Sequence, residues 1–366
     1  MPDANPALNG AESLVTTLAA SGVQLCFANP GTSEMHFVAA LDRIPGLRCV
    51  LGLFEGVVTG AADGYYRMAG QPAATLMHLG PGLGNGLANL HNARKARSGI
   101  LNIVGDHAHE HLRFESPLKG DAEGIARTVS HWVRSSASAA DVGADGAAAM
   151  VATRDGALGR IATLILPADT AWGAGGQAAV ARVAPPPPAA PREAVPAAAR
   201  LLRQLGSRAV LLLGQGGTRS EAALQLAAAI AAHTGCRVLA EFYNARMPGG
   251  RGRQAIERLP YAVDAAVARL AGTEALVLAG AVEPIGFFAY PGKPSQLKPA
   301  GAALLTLAEP QHDVLAALQA LADELGARPV AVADSPATAA GWPTGPLTPE
   351  GVAAVVAATL PEHAVV

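Results

Sequence analysis

Short apolar runs bounded by turns alternate along this chain with stretches whose apolar positions recur three and four residues apart. The first pattern predicts buried strands and the second amphipathic helices. Ala11 to Ala20 is a predicted helix stopping at Gly22, and Val23 to Phe27 a short strand. The apolar segment from Cys49 is a predicted buried strand, followed by a helix with Val57, Ala61, Gly64, Tyr65 and Met68 on one face. Ala73 to Leu79 is a strand carrying His78 near its end. It runs into a glycine-rich turn, Gly80 to Gly86, and then a helix to about Lys95. Strands are expected at Ile100–Val104, His131–Arg134 and Ala162–Leu166, with an alanine-rich helix over 137–154. After a proline-rich stretch, Val183 to Pro191, the pattern resumes. It predicts a helix over 194–204, strands at Ala209–Leu213, Ala275–Ala279 and Ala303–Leu307, and a helix over 314–325. A second linker spans Arg328 to Pro346. Thr348 and Pro349 then open a helix, and Glu362 to Val366 reads as the start of a buried strand.

Strand and helix in alternation predict parallel sheets covered on both faces. The fold class is therefore α/β, with two doubly wound parallel-sheet domains. The expected division is a first domain over 1–182, a linker over 183–193, a Rossmann-like central domain over 194–330, and a linker with the start of a further domain over 331–366.

Composition narrows the function classes. Half of the 366 residues are hydrophobic and 15% are charged, which suits large cores and argues against disorder. The net charge of −2, without a basic stripe, speaks against nucleic acid. No apolar run reaches membrane-spanning length, and Met1-Pro-Asp-Ala-Asn5 has no signal-peptide character. Three scattered cysteines, Cys26, Cys49 and Cys236, suit reduced thiols in a cytoplasm.

Glu55 is the first candidate. It falls where a strand ends and a helix begins, the end of a parallel sheet at which ligands bind. An acid there also compensates the helix dipole. In the functional alternative, Leu53, Phe54 and Val57 desolvate the carboxylate so that it shares a proton with a ligand nitrogen. His107, His109 and His111 alternate in a probable loop, without a fourth ligand at metal-site spacing. Gly214-Gln-Gly216-Gly217 begins like a dinucleotide fingerprint, with Glu241 after the next strand. Arg219 stands where the third glycine belongs, so a generic strand–helix turn remains the alternative. The loop from Ala281 to Lys293 is a plausible ligand-facing or interface segment.

Four motifs occur in order at close intervals: Asn29-Pro30-Gly31-Thr32-Ser33-Glu34, Phe54-Glu55, Ala61-Ala62-Asp63-Gly64-Tyr65-Tyr66-Arg67, and His78 through Asn85. This set resembles the pyrimidine-binding domain of thiamine-diphosphate enzymes, in the group of acetohydroxyacid (acetolactate) synthase large subunits and benzoylformate decarboxylase. The resemblance implies a lyase or transferase acting on 2-oxo acids by decarboxylation or carboligation. In such an enzyme Glu55 bonds the cofactor's aminopyrimidine and favours the imino tautomer, which removes the thiazolium proton. It places Pro30, Gly31, Gly82 and Asn85 around the pyrimidine and His78 at the substrate. Thr32 would supply a hydroxyl there, with Ser33 beside it as the alternative, while a core or capping role stays open for His78.

Thiamine diphosphate and Mg²⁺ are the implied cofactors; FAD is not expected. The family holds diphosphate and Mg²⁺ through Gly-Asp-Gly and a later Asn in a third domain. Here Gly105-Asp106 and Gly120-Asp121 lack both the last glycine and any Asn between Asn102 and Asn244, so no metal ligand is assigned. A truncated chain, inactive alone and weak in cofactor binding, is the expectation. The implied partner is a second subunit in a dimer or tetramer, or a separate polypeptide carrying the diphosphate domain. The alternatives are a split thiamine-diphosphate enzyme and a non-catalytic nucleotide- or flavin-binding assembly module.

Overall fold

Local chemistry starts the chain's first helix. Asn9 accepts a hydrogen bond from Glu12 N–H at 2.8 Å, and Glu12 accepts one from Asn9 N–H at 3.0 Å. A computed structural model describes residues 8–154, 157–332, 342–361 and 363–366. The expected signal-free start (residues 1–5) and part of the second expected linker (333–341) lie outside these, as does Glu362.

The first sheet is built from α1 (Gly10–Ala20), β1 (Leu25–Asn29), α2 (Met35–Arg43), β2 (Arg48–Leu51), α3 (Glu55–Ala69), β3 (Ala73–Met77), α4 (Leu79–Lys95), β4 (Ile100–Asp106), α5 (Ala122–Arg127), β5 (Trp132–Ser135), α6 (Val142–Thr153), β6 (Ile161–Pro167) and α7 (Ala168–Trp172). Its six strands are all parallel, in the order β2-β1-β3-β4-β6-β5. The second sheet follows from α8 (Ala194–Leu205), β7 (Ala209–Leu213), α9 (Gln215–Thr218), α10 (Glu221–Thr234), β8 (Arg237–Ala240), α11 (Val263–Leu270), β9 (Ala275–Ala279), β10 (Ala303–Ala308) and α12 (Val314–Leu325). The exposed helix α13 (Pro349–Thr359) comes after it. Its strands are parallel in the order β10-β9-β7-β8. The α/β architecture with two parallel sheets is thus as the alternation of periods predicts.

Helices cover both faces of each sheet, so β3, β6, β7 and β9 are buried along their whole length. A polar ladder runs through the first core: Thr75 Oγ1 donates to Asn102 Oδ1, Asn102 Nδ2 to Thr163 Oγ1, and Ser130 shares a hydrogen bond with Thr163. Each buried polar group there has a partner, which keeps burial tolerable.

Four local expectations change. The strand from Cys49 is an edge strand, and Arg48, Cys49 and Leu51 on it are exposed; an apolar run does not reveal which strand lacks a neighbour. Gly80 to Gly86 is the start of α4 rather than a turn. Gly86 permits close approach to α3 and β3: a β-carbon there would lie 2.9 Å from Thr59 Cγ2 and 3.0 Å from Met77 Sδ. The alanine-rich helix begins only at Val142, because Ser138 and Asp141 close a turn before it, with Ser138 Oγ donating to Asp141 Oδ2 at 2.6 Å. Residues 363–366 form no strand, and Val365 and Val366 are exposed.

Burial separates the cysteines. Cys26 and Cys236 are buried and Cys49 is exposed; desolvation raises all three thiols above their ordinary range. A maleimide added to the native protein should therefore modify Cys49 alone, faster as pH rises. Modification of Cys26 or Cys236 without denaturant, read by peptide mass, would contradict this packing.

Candidate functional site

Parallel strands place all their C-terminal ends on one edge of the first sheet, and four of them converge there. β1 delivers Pro30, Gly31 and Thr32, the β2–α3 connection delivers Glu55, β3 delivers His78, and β4 ends at Asp106. Asn29 Nδ2 donates to Gly52 O at 2.7 Å, tying the first two ends together. Burial pushes the Asp106 carboxyl above the usual range.

Glu55 opens α3 and is 7% exposed. Leu53, Phe54 and Val57 do not desolvate it, contrary to the sequence-based expectation: they are 90%, 49% and 59% exposed. The cover comes from α4. Asn85 Nδ2 donates to Glu55 Oε2 at 3.0 Å, and a β-carbon at Gly82 would stand 2.8 Å from Glu55 Oε1. Oε1 has no protein partner among the described residues. Asn89 Nδ2 donates to Gly56 O at 2.7 Å and Thr59 Oγ1 to Gly86 O at 3.1 Å, clamping the two helices. This close approach needs the glycines that a propensity reading takes for a turn.

His78 sits at the N-cap of α4, and the next residue, Leu79, takes φ 54°. A left-handed conformation costs a residue with a β-carbon about 1–2 kcal/mol, and strain of this kind gathers at functional sites. Gly82 bridges His78 and Glu55, since its absent β-carbon would also lie 3.4 Å from His78 Cβ. On the other side, a β-carbon at Gly31 would fall 2.3 Å from His78 Nδ1. Gly31, His78, Gly82, Glu55 and Asn85 therefore form one contiguous group. Pro30 is half-buried beside it. Thr32 turns away: it is exposed and lines, with Ser33, His36, His107, His111 and Trp172, a neighbouring cavity of about 320 Å³.

Sequence reasoning passed over Glu34. It is 2% exposed and its Oε2 accepts from Gly31 N–H at 2.8 Å, with His78 Nδ1 also 2.8 Å away. The available signal was an acid three residues after Gly31, the spacing at which a side chain reaches back to a turn's N–H.

The loop histidines diverge. His107 Nε2 meets Ser116 Oγ at 2.9 Å, His109 bonds Asp169, and His111 packs between His107 and Phe114. Burial works against the Asp169 carboxylate, yet its hydrogen bonds from His109 hold it below its usual range. Among the described residues no group of three His, Cys, Asp or Glu is placed to hold a metal ion.

The second sheet's ligand crevice is filled by the chain itself. The strand order reverses between β7 and β9, where a doubly wound sheet binds its ligand. There, a β-carbon at Gly214 would lie 1.8 Å from Gly280 O, and β-carbons at Gly216 and Gly280 would each meet Val314 Cγ2 at 2.7 Å. Arg219 lies over the Tyr66 ring of the first sheet's layer, 5.3 Å from its centroid. Glu241, raised by burial, accepts from Val282 N–H at 2.7 Å and faces Arg97. The fingerprint-like residues thus serve packing between strands and between sheets. The 281–293 loop presents exposed Phe287, Phe288 and Tyr290, packed with Tyr243 and Tyr261.

Residues 8–127, which contain the four converging strand ends, match the family model "Thiamine pyrophosphate enzyme, N-terminal TPP binding domain". Over 362 residues the chain is 52% identical to the acetolactate synthase large subunit-like protein IlvX of Mycobacterium tuberculosis, an alignment covering 98% of this chain and 68% of that protein.

The chain belongs to the thiamine pyrophosphate enzyme family.

A 122-residue stretch, 33% of this chain, is 34% identical to benzoylformate decarboxylase of Pseudomonas aeruginosa and covers 23% of that protein. Among solved structures, benzoylformate decarboxylase from Polynucleobacter necessarius superposes with a TM-score of 0.80 at 22% identity, covering 97% of this chain and 68% of that one. The thiamine diphosphate-dependent 4-hydroxybenzoylformate decarboxylase of Rhodococcus jostii RHA1 does so with 0.77 at 21% identity, covering 98% and 70%. At those identities the likeness is one of fold. The chain spans about two thirds of the length of these end-to-end matches. No helix among the described residues is long and apolar enough to cross a membrane.

Proposed function

We propose that this chain forms the aminopyrimidine-holding half of a thiamine-diphosphate site for decarboxylation or carboligation of 2-oxo acids. The observation that carries the reading is the Glu55 carboxylate. It is buried, steered through Oε2 by Asn85, and left open at Oε1 beside the space that Gly82 lacks a side chain to fill. A planar ring nitrogen at that opening would meet Oε1 at hydrogen-bond reach, the geometry that proton sharing needs.

Each residue then has a task. Glu55 holds the shared proton, Asn85 keeps the carboxylate oriented, and Gly82 and Gly31 leave the floor clear. His78 faces the reacting acid, while Thr32 and Ser33 line the neighbouring cavity. Thiamine diphosphate, when bound, supplies the electron sink for loss of the carboxylate. Diphosphate and Mg²⁺ would be held by a separate subunit that carries the diphosphate domain, since these residues lack the motif that holds them. The exposed apolar face beside Glu55, formed by Leu51, Leu53, Phe54 and Val57, suits such a cover. Val314 in the crevice of the second sheet supports assigning no dinucleotide there.

The test is titration of the ¹⁵N-labelled chain with millimolar thiamine diphosphate, followed by amide chemical shifts. The reading expects saturable changes at Glu55, Gly82 and Asn85, reduced at least tenfold in affinity by Glu55→Ala. Saturable changes confined to the second sheet, or none at this edge, would sink it.

A further inference from the structure

We infer that Glu34 is the positioning residue for His78: it fixes the imidazole as the Nδ1–H tautomer and leaves Nε2 bare toward the cleft. The inference rests on the reading of this edge as a substrate site only for what Nε2 then does; the tautomer itself follows from the geometry.

Gly31 N–H can only donate, so Glu34 Oε2, 2.8 Å away, is an acceptor. His78 Nδ1 reaches the same oxygen at 2.8 Å. An oxygen already accepting from one N–H is best served by a second donor, and an ionised carboxylate makes both bonds charge-assisted. Nδ1 therefore carries the proton. In a neutral ring the hydrogen bond at one nitrogen decides the state of the other, so Nε2 is left with its lone pair. It has no protein partner among the described residues, and the His78 side chain keeps 23% of its surface exposed while that of Glu34 keeps 1%.

The surroundings hold this pair in place. Two missing side chains make room for it: a β-carbon on Gly31 would sit 2.3 Å from Nδ1, and one on Gly105 would sit 1.7 Å from Glu34 Oε1. Gly31 has an ordinary extended φ of −122°, so its requirement is space rather than conformation. Glu34 Oε1 is buried without a partner, so the load on this carboxylate falls on Oε2, the oxygen shared by Gly31 and His78. On the substrate side, a bare Nε2 can accept a proton or a hydrogen bond from a reacting 2-oxo acid adduct. A free imidazole, mixing both tautomers, would offer that lone pair only part of the time.

The test is long-range ¹H–¹⁵N spectroscopy of the imidazoles in the 366-residue chain at pH 8, with the His78 signals assigned by their loss in His78→Gln. The wild type should show one tautomer, protonated at Nδ1 and bare at Nε2. Glu34→Leu should release the ring to a mixture dominated by Nε2–H. Gly31→Ala keeps Glu34 but drives the ring off it, and should do the same; it serves if Glu34→Leu fails to fold. A wild-type ring protonated at Nε2, an averaged ring, or a tautomer unchanged in both variants would overturn the inference. Thiamine diphosphate takes no part in this measurement. A locked tautomer in a chain that does not bind the cofactor would remove the site reading and leave Glu34 in its role, and the reverse pattern would do the opposite.

Discussion

Glu55→Gln should slow proton–deuterium exchange at the thiazolium carbon of chain-bound thiamine diphosphate by on the order of 10²–10⁴-fold, the usual contribution of a positioned proton-transfer group. The variant is nearly isosteric and keeps an oxygen to accept from Asn85, which in the wild type donates at 3.0 Å. What it loses is the ability to share a proton from Oε1, the oxygen beside Gly82. Folding should be unaffected, so the thermal midpoint is the control. Quenched-flow exchange followed by proton NMR, at cofactor concentrations that saturate both proteins, gives the rates. Equal rates would mean that Glu55 is a helix-capping acid and nothing more.

Gly214→Ala should be the most damaging single-methyl addition in the second sheet, lowering stability by about 3 kcal/mol. The new β-carbon would fall 1.8 Å from Gly280 O and 2.3 Å from its carbonyl carbon. Both neighbours are backbone, so β7 and β9 must part at their C-terminal ends to admit it. The same exchange at Gly64 should act in the opposite direction. Gly64 lies on the exposed side of α3 with nothing within 4 Å, and alanine there should add about 1 kcal/mol through helix propensity. Urea unfolding followed by circular dichroism measures both. A neutral Gly214→Ala would show that the switch-point crevice is open, and would return a nucleotide to consideration there.

The architecture was legible because period and position agree. Buried parallel strands such as Ala73–Met77 and Ala209–Leu213 are uninterrupted apolar runs, and the helices between them carry clear stripes. Glu55 was legible for the same reason: a strand and a helix meet at it. What surrounds Glu55 was not, since Leu53 and Phe54 in the connection after β2 and Val57 on α3, the apolar residues next to it in sequence, are exposed. Its cover comes from α4, thirty residues on at Asn85. The glycines from Gly80 to Gly86 mislead in the same way. By propensity they break helices, but against Glu55 and Thr59 they let two helices touch. Glu34 escaped notice because an acid in a turn reads as a cap, and only its burial and its bond to His78 set it apart. The fingerprint-like Gly214-Gln-Gly-Gly could be seen in sequence, while Val314, which fills the space they leave, lies a hundred residues away.

The most direct measurement is a crystal structure of the chain grown with thiamine diphosphate. The account predicts the aminopyrimidine ring over Gly82, with a ring nitrogen at hydrogen-bond distance from Glu55 Oε1 and His78 Nε2 opening onto the same cleft. A cofactor lodged in the crevice between β7 and β9, or at the first sheet's edge without contact to Glu55, would contradict it.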